Sequence, residues 1–298
     1  MPTRARGRGR RGSASRLVRR ALLAMLVCAL VLVGVGVSFY RGVGPLPDPE
    51  GCSAHVGGVD VALSTEQGEN ASVIAAVAVR RGMPARAVSI ALAAAFQESK
   101  LQNLDHGDRD SLGLFQQRPS QGWGTAAQIR DPYYAANRFY DELAKIHGYQ
   151  NMRINDAAQL VQRSGYPQAY AAHEADARAL ASALTGYSRH AFSCVVHAPG
   201  PGGSAGASVD AVRRDLRKAF GPGQVAAHGH SLRVPVGSGS AARARGWAVA
   251  SYLVAQADRL GLRRVSFDGR VWSAGDASGK GWRHADGPGR DHVRATVY

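Results

Sequence analysis

Residues 21–40, ALLAMLVCALVLVGVGVSFY, form a run of 20 residues without a charge. As a helix this run would extend about 30 Å, the hydrocarbon thickness of a bilayer. The 20 residues before it hold eight arginines and no acid, and arginines on one flank keep that flank in the cytoplasm. A cleavable signal peptide shares the basic start and the apolar middle. Against it, no A-x-A-like site follows the run, which continues as VSFYRG. Cys28 is preceded by MLV, without the small residue expected before a lipidated cysteine. The reading is a single-pass signal-anchor in the cell membrane. Residues 1–20 are then a basic cytoplasmic tail, residues 21–40 a transmembrane helix, and all that follows lies outside the cell.

The remaining charge is uneven. Residues 41–207 carry 14 basic and 15 acidic side chains, whereas residues 208–298 carry 15 basic and 7 acidic ones, a net of +8. A pI near 10.4 invites a nucleic-acid reading. No helix-turn-helix, zinc finger or aromatic RNA-binding strand accompanies it, so nucleic acid is not an expected partner.

Cys52 and Cys194 are the two cysteines outside the apolar run, and they bracket the neutral middle of the chain. In an oxidising exterior they are expected to form a disulfide. Residues 41–54 include the Pro-rich stretch VGPLPDPE and read as a spacer; residues 197–207 read as a Gly/Pro/Ser linker. Between them, residues 55–196 read as one mainly α domain without an internal repeat. Helices are expected from Glu69 to Arg81, from Pro84 to about Lys100, from an Asp131 N-cap towards Gly148, over 156–162, and from Pro167 to Leu184. Residues 208–298 mix helices at 208–219 and 241–260 with strands at 231–236, 263–268 and 293–297, a smaller α+β domain.

The helix PARAVSIALAAAFQESK is apolar almost all round from Val88 to Phe96, as a buried helix is. Glu98 follows on the face of Ile90 and Ala94, through i, i+4, i+8 spacing. A carboxyl at the end of a buried helix loses solvation. Its pKa is expected to rise, which suits a proton donor to a glycosidic oxygen. The plain alternative is a glutamate that surfaces where its helix ends.

Residues 98–119 read ESKLQNLDHGDRDSLGLFQQRP. Glu98-Ser99, followed by Gly113-Leu114-Phe115-Gln116, resembles the signature of the soluble lytic transglycosylase and goose-type lysozyme superfamily, over about residues 70–185. The resemblance implies a lysozyme-like fold in which Glu98 protonates the bond between N-acetylmuramic acid and N-acetylglucosamine. It implies that Ser99 and the turn Gly113, Leu114, Phe115 and Gln116 line the sugar cleft, with Phe115 beneath the site and Gln116 hydrogen-bonding the sugar. The family's Tyr-Asn-x-Gly is absent, and VQRSGY stands in its place, with Tyr166 or Tyr170 as the hydroxyl. A second carboxylate, where one is used, would come from Asp105, Asp108 or Asp110; these are equally turn formers or a cation site. Trp123 is a stacking platform or core, and core is favoured.

The stretch from VAAHGHSLRVPV to GWRHADGPGRDHVRATVY resembles D-Ala-D-Ala carboxypeptidase-type zinc peptidases. That family places zinc on a His, an Asp and a late His-x-His. Here His228 matches the first ligand, but Pro235 stands at the Asp position and Arg294 at the second His of the late pair after His292. The resemblance therefore implies a degenerate, metal-free relative, and no cofactor is expected. Its basic charge suits anionic wall polymer or the carboxylates of stem peptides.

The expected function is a membrane-anchored enzyme that cleaves peptidoglycan glycan strands, as lytic transglycosylase or muramidase. The rival from another class is a non-catalytic wall-binding or scaffold protein with a lysozyme-like fold.

Overall fold

The computed structural model describes residues 11–40, 48–166, 168–199, 208–287 and 289–298. The first half of the basic tail, most of the spacer and residues 200–207 of the linker lie outside these. The chain divides into two units, Met1–Asp48 and Pro49–Tyr298. In the first, α1 runs from Arg11 to Tyr40, and its stretch Val18–Val37 is long and apolar enough to cross a membrane. Its leucines and valines from Val18 to Val37 are exposed.

In the second unit, β1 (Gly51–Val56) and β2 (Val59–Leu63) form a hairpin, followed by α2 (Thr65–Arg80) and α3 (Ala85–Ser99). Strand β1 takes up residues 51–54, which the sequence reading left in the spacer. Helix α2 begins four residues before the expected Glu69, because Ser64 and Gln67 close a capping box. Pro84 is the N-cap of α3 and not its first turn.

Then come α4 (Ala126–Ile129), α5 (Pro132–Ala144), α6 (Ile154–Gln162) and α7 (Glu174–Leu184). Asp131 caps α5 by accepting from the Tyr133 amide, and Pro132 occupies the first turn, as read. The expected helix from Pro167 is a 3₁₀ turn, Ala169–His173, leading into α7; Pro167 itself lies outside the described residues. Strand β3 (Phe192–Val195) returns to pair with β1, giving the antiparallel order β2-β1-β3.

The C-terminal part comprises α8 (Val209–Phe220), β4 (Ala226–His228), β5 (Ser231–Pro235), α9 (Ser240–Ala255), α10 (Ala257–Leu260), β6 (Leu262–Phe267), β7 (Arg270–Ser273), β8 (Arg283–His284) and β9 (His292–Val297). Its strands form one antiparallel sheet in the order β4-β5-β9-β6-β7-β8. Alternation along β9 sends Val293, Ala295 and Val297 into the core against α9, and His292, Arg294 and Thr296 to the other face. The protein thus mixes helices and sheets, with more sheet near the N-terminal helices than the sequence reading allowed.

The two parts of this unit share one hydrophobic core. The edge of β3 that faces away from β1 is occupied by side chains of the C-terminal part. Trp272 Nε1 donates to Cys194 O at 2.9 Å and Trp282 Nε1 donates to Phe192 O at 2.8 Å. An edge covered in this way cannot recruit another strand. A second seam joins α2 and α5 to α8, α9 and α10. Asp215 accepts from the Tyr252 hydroxyl and from Arg259 Nη2 (2.8 Å), and the Tyr133 and Tyr252 hydroxyls lie 2.6 Å apart. Burial pushes the Tyr133 phenol up to about 12 and the Glu69 carboxyl beside this seam up to about 7.

Cys52 and Cys194 face each other across β1 and β3 and are bonded, joining positions 142 residues apart. Gly68 of α2 lies against this bridge; a β-carbon there would stand 2.5 Å from Cys52 Sγ. Closing so long a loop contributes about 3–5 kcal/mol in the chain-entropy account. The double variant Cys52→Ser/Cys194→Ser should melt well below wild type under oxidising conditions. Equal melting temperatures would mean that strand pairing alone holds β1 to β3.

Candidate functional site

Helix α3 is buried from residue 87 to residue 95: Val88, Ile90, Leu92 and Ala93 to Ala95 are all fully buried. It ends abruptly. Lys100 and Leu101 both adopt left-handed backbone, with φ of 55° and 60°, conformations that cost free energy for residues with side chains. Two side chains of α2 hold them there. Gln67 Nε2 donates to Lys100 O and Asn70 Nδ2 donates to Leu101 O, each at 2.8 Å. The chain is thereby turned sharply just after Glu98-Ser99. Sequence reasoning passed over Gln67 and Asn70. The available signal was an asparagine one helical turn before Ile74, on the buried face of an apolar helix.

Ser99 is buried, and its hydroxyl donates to Ala95 O at 3.0 Å and to Leu114 O at 2.8 Å. It clips the end of α3 to the turn Gly113–Gln116. Gly113 has φ +74°, and a β-carbon there would stand 2.7 Å from Ile129 O. Gln116 N donates back to Gly113 O at 3.3 Å, and Leu112 and Gln117 bridge the base of the turn. Leu114 and Phe115 are buried; Phe115 stacks on Phe139 with ring centroids 4.7 Å apart. Gln162 Nε2 on α6 holds Phe115 O at 2.9 Å. Ser99, Leu114 and Phe115 therefore shape the turn from inside. Gln116 is half-buried, and its amide nitrogen donates to Gly113 O and His106 O, each at 3.3 Å.

Glu98 is half-buried, and Oε1 accepts a hydrogen bond of 2.7 Å from the Tyr170 hydroxyl. Tyr170 is fully buried. Burial, the neighbouring Glu98 charge and the bond it donates to Glu98 push its phenol far above the ordinary range, so it remains a donor at any physiological pH. Of the two tyrosines proposed from sequence, Tyr170 meets Glu98; Tyr166 is 78% exposed and is not bonded to Glu98 among the described contacts. Beside this pair, His173 stacks on Phe96 and faces Gln97 Oε1 at 3.1 Å, and burial lowers its imidazole pKa.

The three loop aspartates are each engaged with a basic neighbour. Asp105 meets His106 Nδ1 at 2.8 Å, and Asp108 lies 3.9 Å from Arg109. Asp110 accepts from Arg118 Nε at 2.7 Å and from the Ser120 amide at 2.7 Å. Trp123 is half-buried: it packs against the hydrophobic core and also lines a cleft of about 530 Å³ with Arg138, Glu142, Lys145, Leu160 and Arg163. Glu98 does not line this cleft; Gln162 is the residue shared between it and the turn.

In the C-terminal sheet, Pro235 pairs with His292 and Arg233 with Arg294. Among the described residues, no three His, Cys, Asp or Glu side chains are grouped as a metal site.

Residues 204–296, less than a third of the chain, match the family model of the VldE C-terminal domain. The match spans α8 through β9. No curated protein matches the chain.

The Asp110 contacts carry a pH signature. Arg118 and the Ser120 amide hold its carboxyl far below the usual range. An acid whose folded pKa is depressed stabilises the fold above its unfolded pKa, near 4, and that stabilisation is lost as pH falls through the folded value. Asp110→Asn should therefore lower the melting temperature equally between pH 7 and about 5, and the difference should narrow below about 4. A difference that stays constant into acid would mean that the Asp110 ion pair does not hold this loop.

Proposed function

We propose that the protein cleaves the glycan strands of peptidoglycan, with Glu98 as the general acid. The observation that carries this reading is the hydrogen bond between Glu98 and the buried Tyr170, set at the end of a helix whose middle is buried and beside a turn clipped to that helix by Ser99. Tyr170 fixes Oε1, which leaves Oε2 to carry and deliver a proton to a glycosidic oxygen. A donor held in one orientation loses little entropy on reaching its acceptor, which is the advantage of a positioned acid. The hydrogen bonds of Asp105 with His106 and of Asp110 with Arg118 support a reaction in which neither serves as a second carboxylate. The substrate's own acetamido and 6-hydroxyl groups then complete the cleavage, as in a lytic transglycosylase.

Replacing Glu98 with Gln keeps size and hydrogen bonding and removes the transferable proton. With purified full-length protein and peptidoglycan, turnover should fall by about 10²–10⁴-fold, while the melting temperature and wall binding stay close to wild type. Wild-type turnover in a folded Glu98→Gln protein would exclude Glu98 as the acid. Wall binding without turnover in the wild type would make the protein a wall-binding scaffold.

The helix over Val18–Val37 acts, in this reading, as a retained anchor with its arginine-rich end in the cytoplasm. Protease added to intact cells stripped of wall should then degrade everything after the helix. Recovery of a soluble form beginning near residue 41 would show cleavage instead.

A further inference from the structure

On the face of the six-stranded sheet that points away from α9, Arg233, Arg264 and Arg294 are exposed, Val271 is buried, and residues 285–287 border a cavity. Register places the arginines side by side: Arg233 on β5 lies opposite Arg294 on β9, and Ser266 on β6 lies opposite Arg294 from the other side. Arg264, two residues back on β6, is the diagonal neighbour of Arg294 and pairs with Thr296. All three arginines are exposed. Like charges directly opposite on neighbouring strands repel, so such an arrangement costs the fold stability unless something else offsets it. Within the protein, Arg233 Nη2 meets His292 Nδ1 at 3.2 Å and its charge attracts the Asp291 carboxylate, whereas among the described residues no hydrogen bond or ion pair of this kind reaches Arg264 or Arg294. Among the described residues, no ion pair reaches Arg233, Arg264 or Arg294, whereas arginines elsewhere in the C-terminal part, such as Arg243, Arg259 and Arg290, are paired with aspartates.

The same face is concave. A cavity of about 340 Å³ includes Ser231, Arg264, Ser266 and Arg294, and an adjoining one of about 460 Å³ shares Arg264 and Thr296 with it. Arginines here alternate with hydroxyls. A guanidinium fork can bind two oxygens of a tetrahedral phosphate while a serine or threonine hydroxyl reaches another. A planar carboxylate is satisfied by the fork alone. Two adjoining cavities fit an extended chain better than a single small anion. The arginine rows carry no aromatic ring, and Tyr298 stands at the edge of the second cavity. Proteins that hold single-stranded nucleic acid stack its bases on aromatic rings, which this face does not offer along its centre. Asp286 at the rim of the first cavity is the one acidic residue that lines either, and it keeps the charge there from being uniformly positive.

We propose that this sheet face binds an extended phosphodiester-linked polymer that lacks bases, seated on Arg264 and Arg294 in the cavities, with Arg233 on the neighbouring strand flanking them. The inference does not depend on Glu98 or on glycan cleavage.

The test uses the full-length chain in neutral detergent micelles and three probes of similar charge: poly(glycerol phosphate), an oligo-dT strand and polygalacturonate. Poly(glycerol phosphate) should bind most tightly, and its affinity should fall as salt rises from about 50 to about 200 mM. The triple variant R233Q/R264Q/R294Q should lose at least about tenfold in affinity. The single variant Arg294→Gln should bind more weakly yet melt no lower than wild type, because it relieves the cross-strand repulsion; a merely structural arginine would lower the melting temperature. The proposal is overturned by unchanged affinity in the triple variant or by a clear loss of stability in Arg294→Gln. Binding of oligo-dT or polygalacturonate as tight as that of poly(glycerol phosphate), or no binding of the polyol phosphate at all, overturns it equally.

Discussion

A helix that is free of water over residues 87–95 can exist only if its neighbours close on it from every side, and in this protein α2, α5, α6 and α7 do so. The alanines at 91, 93, 94 and 95 are what permit it. Small side chains let neighbouring helices approach closely, and an apolar circumference leaves no face that prefers solvent. Once α3 occupies the centre, the place where it surfaces is determined by its length. That place is its last turn, where Gln97 is exposed and Glu98 half-buried. The left-handed residues Lys100 and Leu101 follow from the same constraint, because the chain has to leave a crowded helix end within one residue. Their carbonyls are gripped by Gln67 and Asn70, which makes α2 part of the scaffold of the candidate site.

The second dependency is the seam between the parts of the Pro49–Tyr298 unit. Strand β3 has four residues and would be marginal alone, yet it is paired on one edge with β1 and covered on the other by Trp272 and Trp282. The disulfide fixes the paired edge covalently. The tyrosine–aspartate–arginine cluster around Asp215 closes the seam at a second place, and burial strengthens its hydrogen bonds as it raises the phenol pKa values. Two contacts of different chemistry, one apolar with indole donors and one charged, make the parts unfold together more readily than either would alone.

The long helices were legible from periodicity and capping residues, and the Asp131-Pro132 start of α5 was readable to the residue. The strands β1, β2 and β3 were not read, although Gly57-Gly58 between CSAHV and VDVAL is the two-residue hairpin signal, with φ of +58° and +82°. The expected spacer, residues 41–54, covers only the first part of β1, and the expected domain over residues 55–196 is mainly α, with no strand at its start. The choice of Tyr170 over Tyr166 was beyond the sequence. It depends on a 3₁₀ turn at Ala169–His173 that rotates one ring inward, and a continuous helix would have directed the rings differently. The Trp272 and Trp282 bonds to β3 were equally hidden, since they join positions 78 and 90 residues apart without a local pattern.

The distribution of charge gains meaning from this architecture. The region that contains Glu98 is nearly neutral, with 14 basic and 15 acidic residues over 41–207. The excess of eight positive charges over 208–298 includes Arg233, Arg264 and Arg294 on a sheet that has one face in the core. Sheets of this kind ordinarily intersperse opposite charges on the wet face, because paired signs add stability and like signs subtract from it. Placing Arg233 beside Arg294 forgoes that gain at the centre of the sheet, where strand pairing can best tolerate the loss. On the two proposals together, a polymer held on the sheet raises the local concentration of wall material around Glu98, so that neither surface needs high affinity by itself.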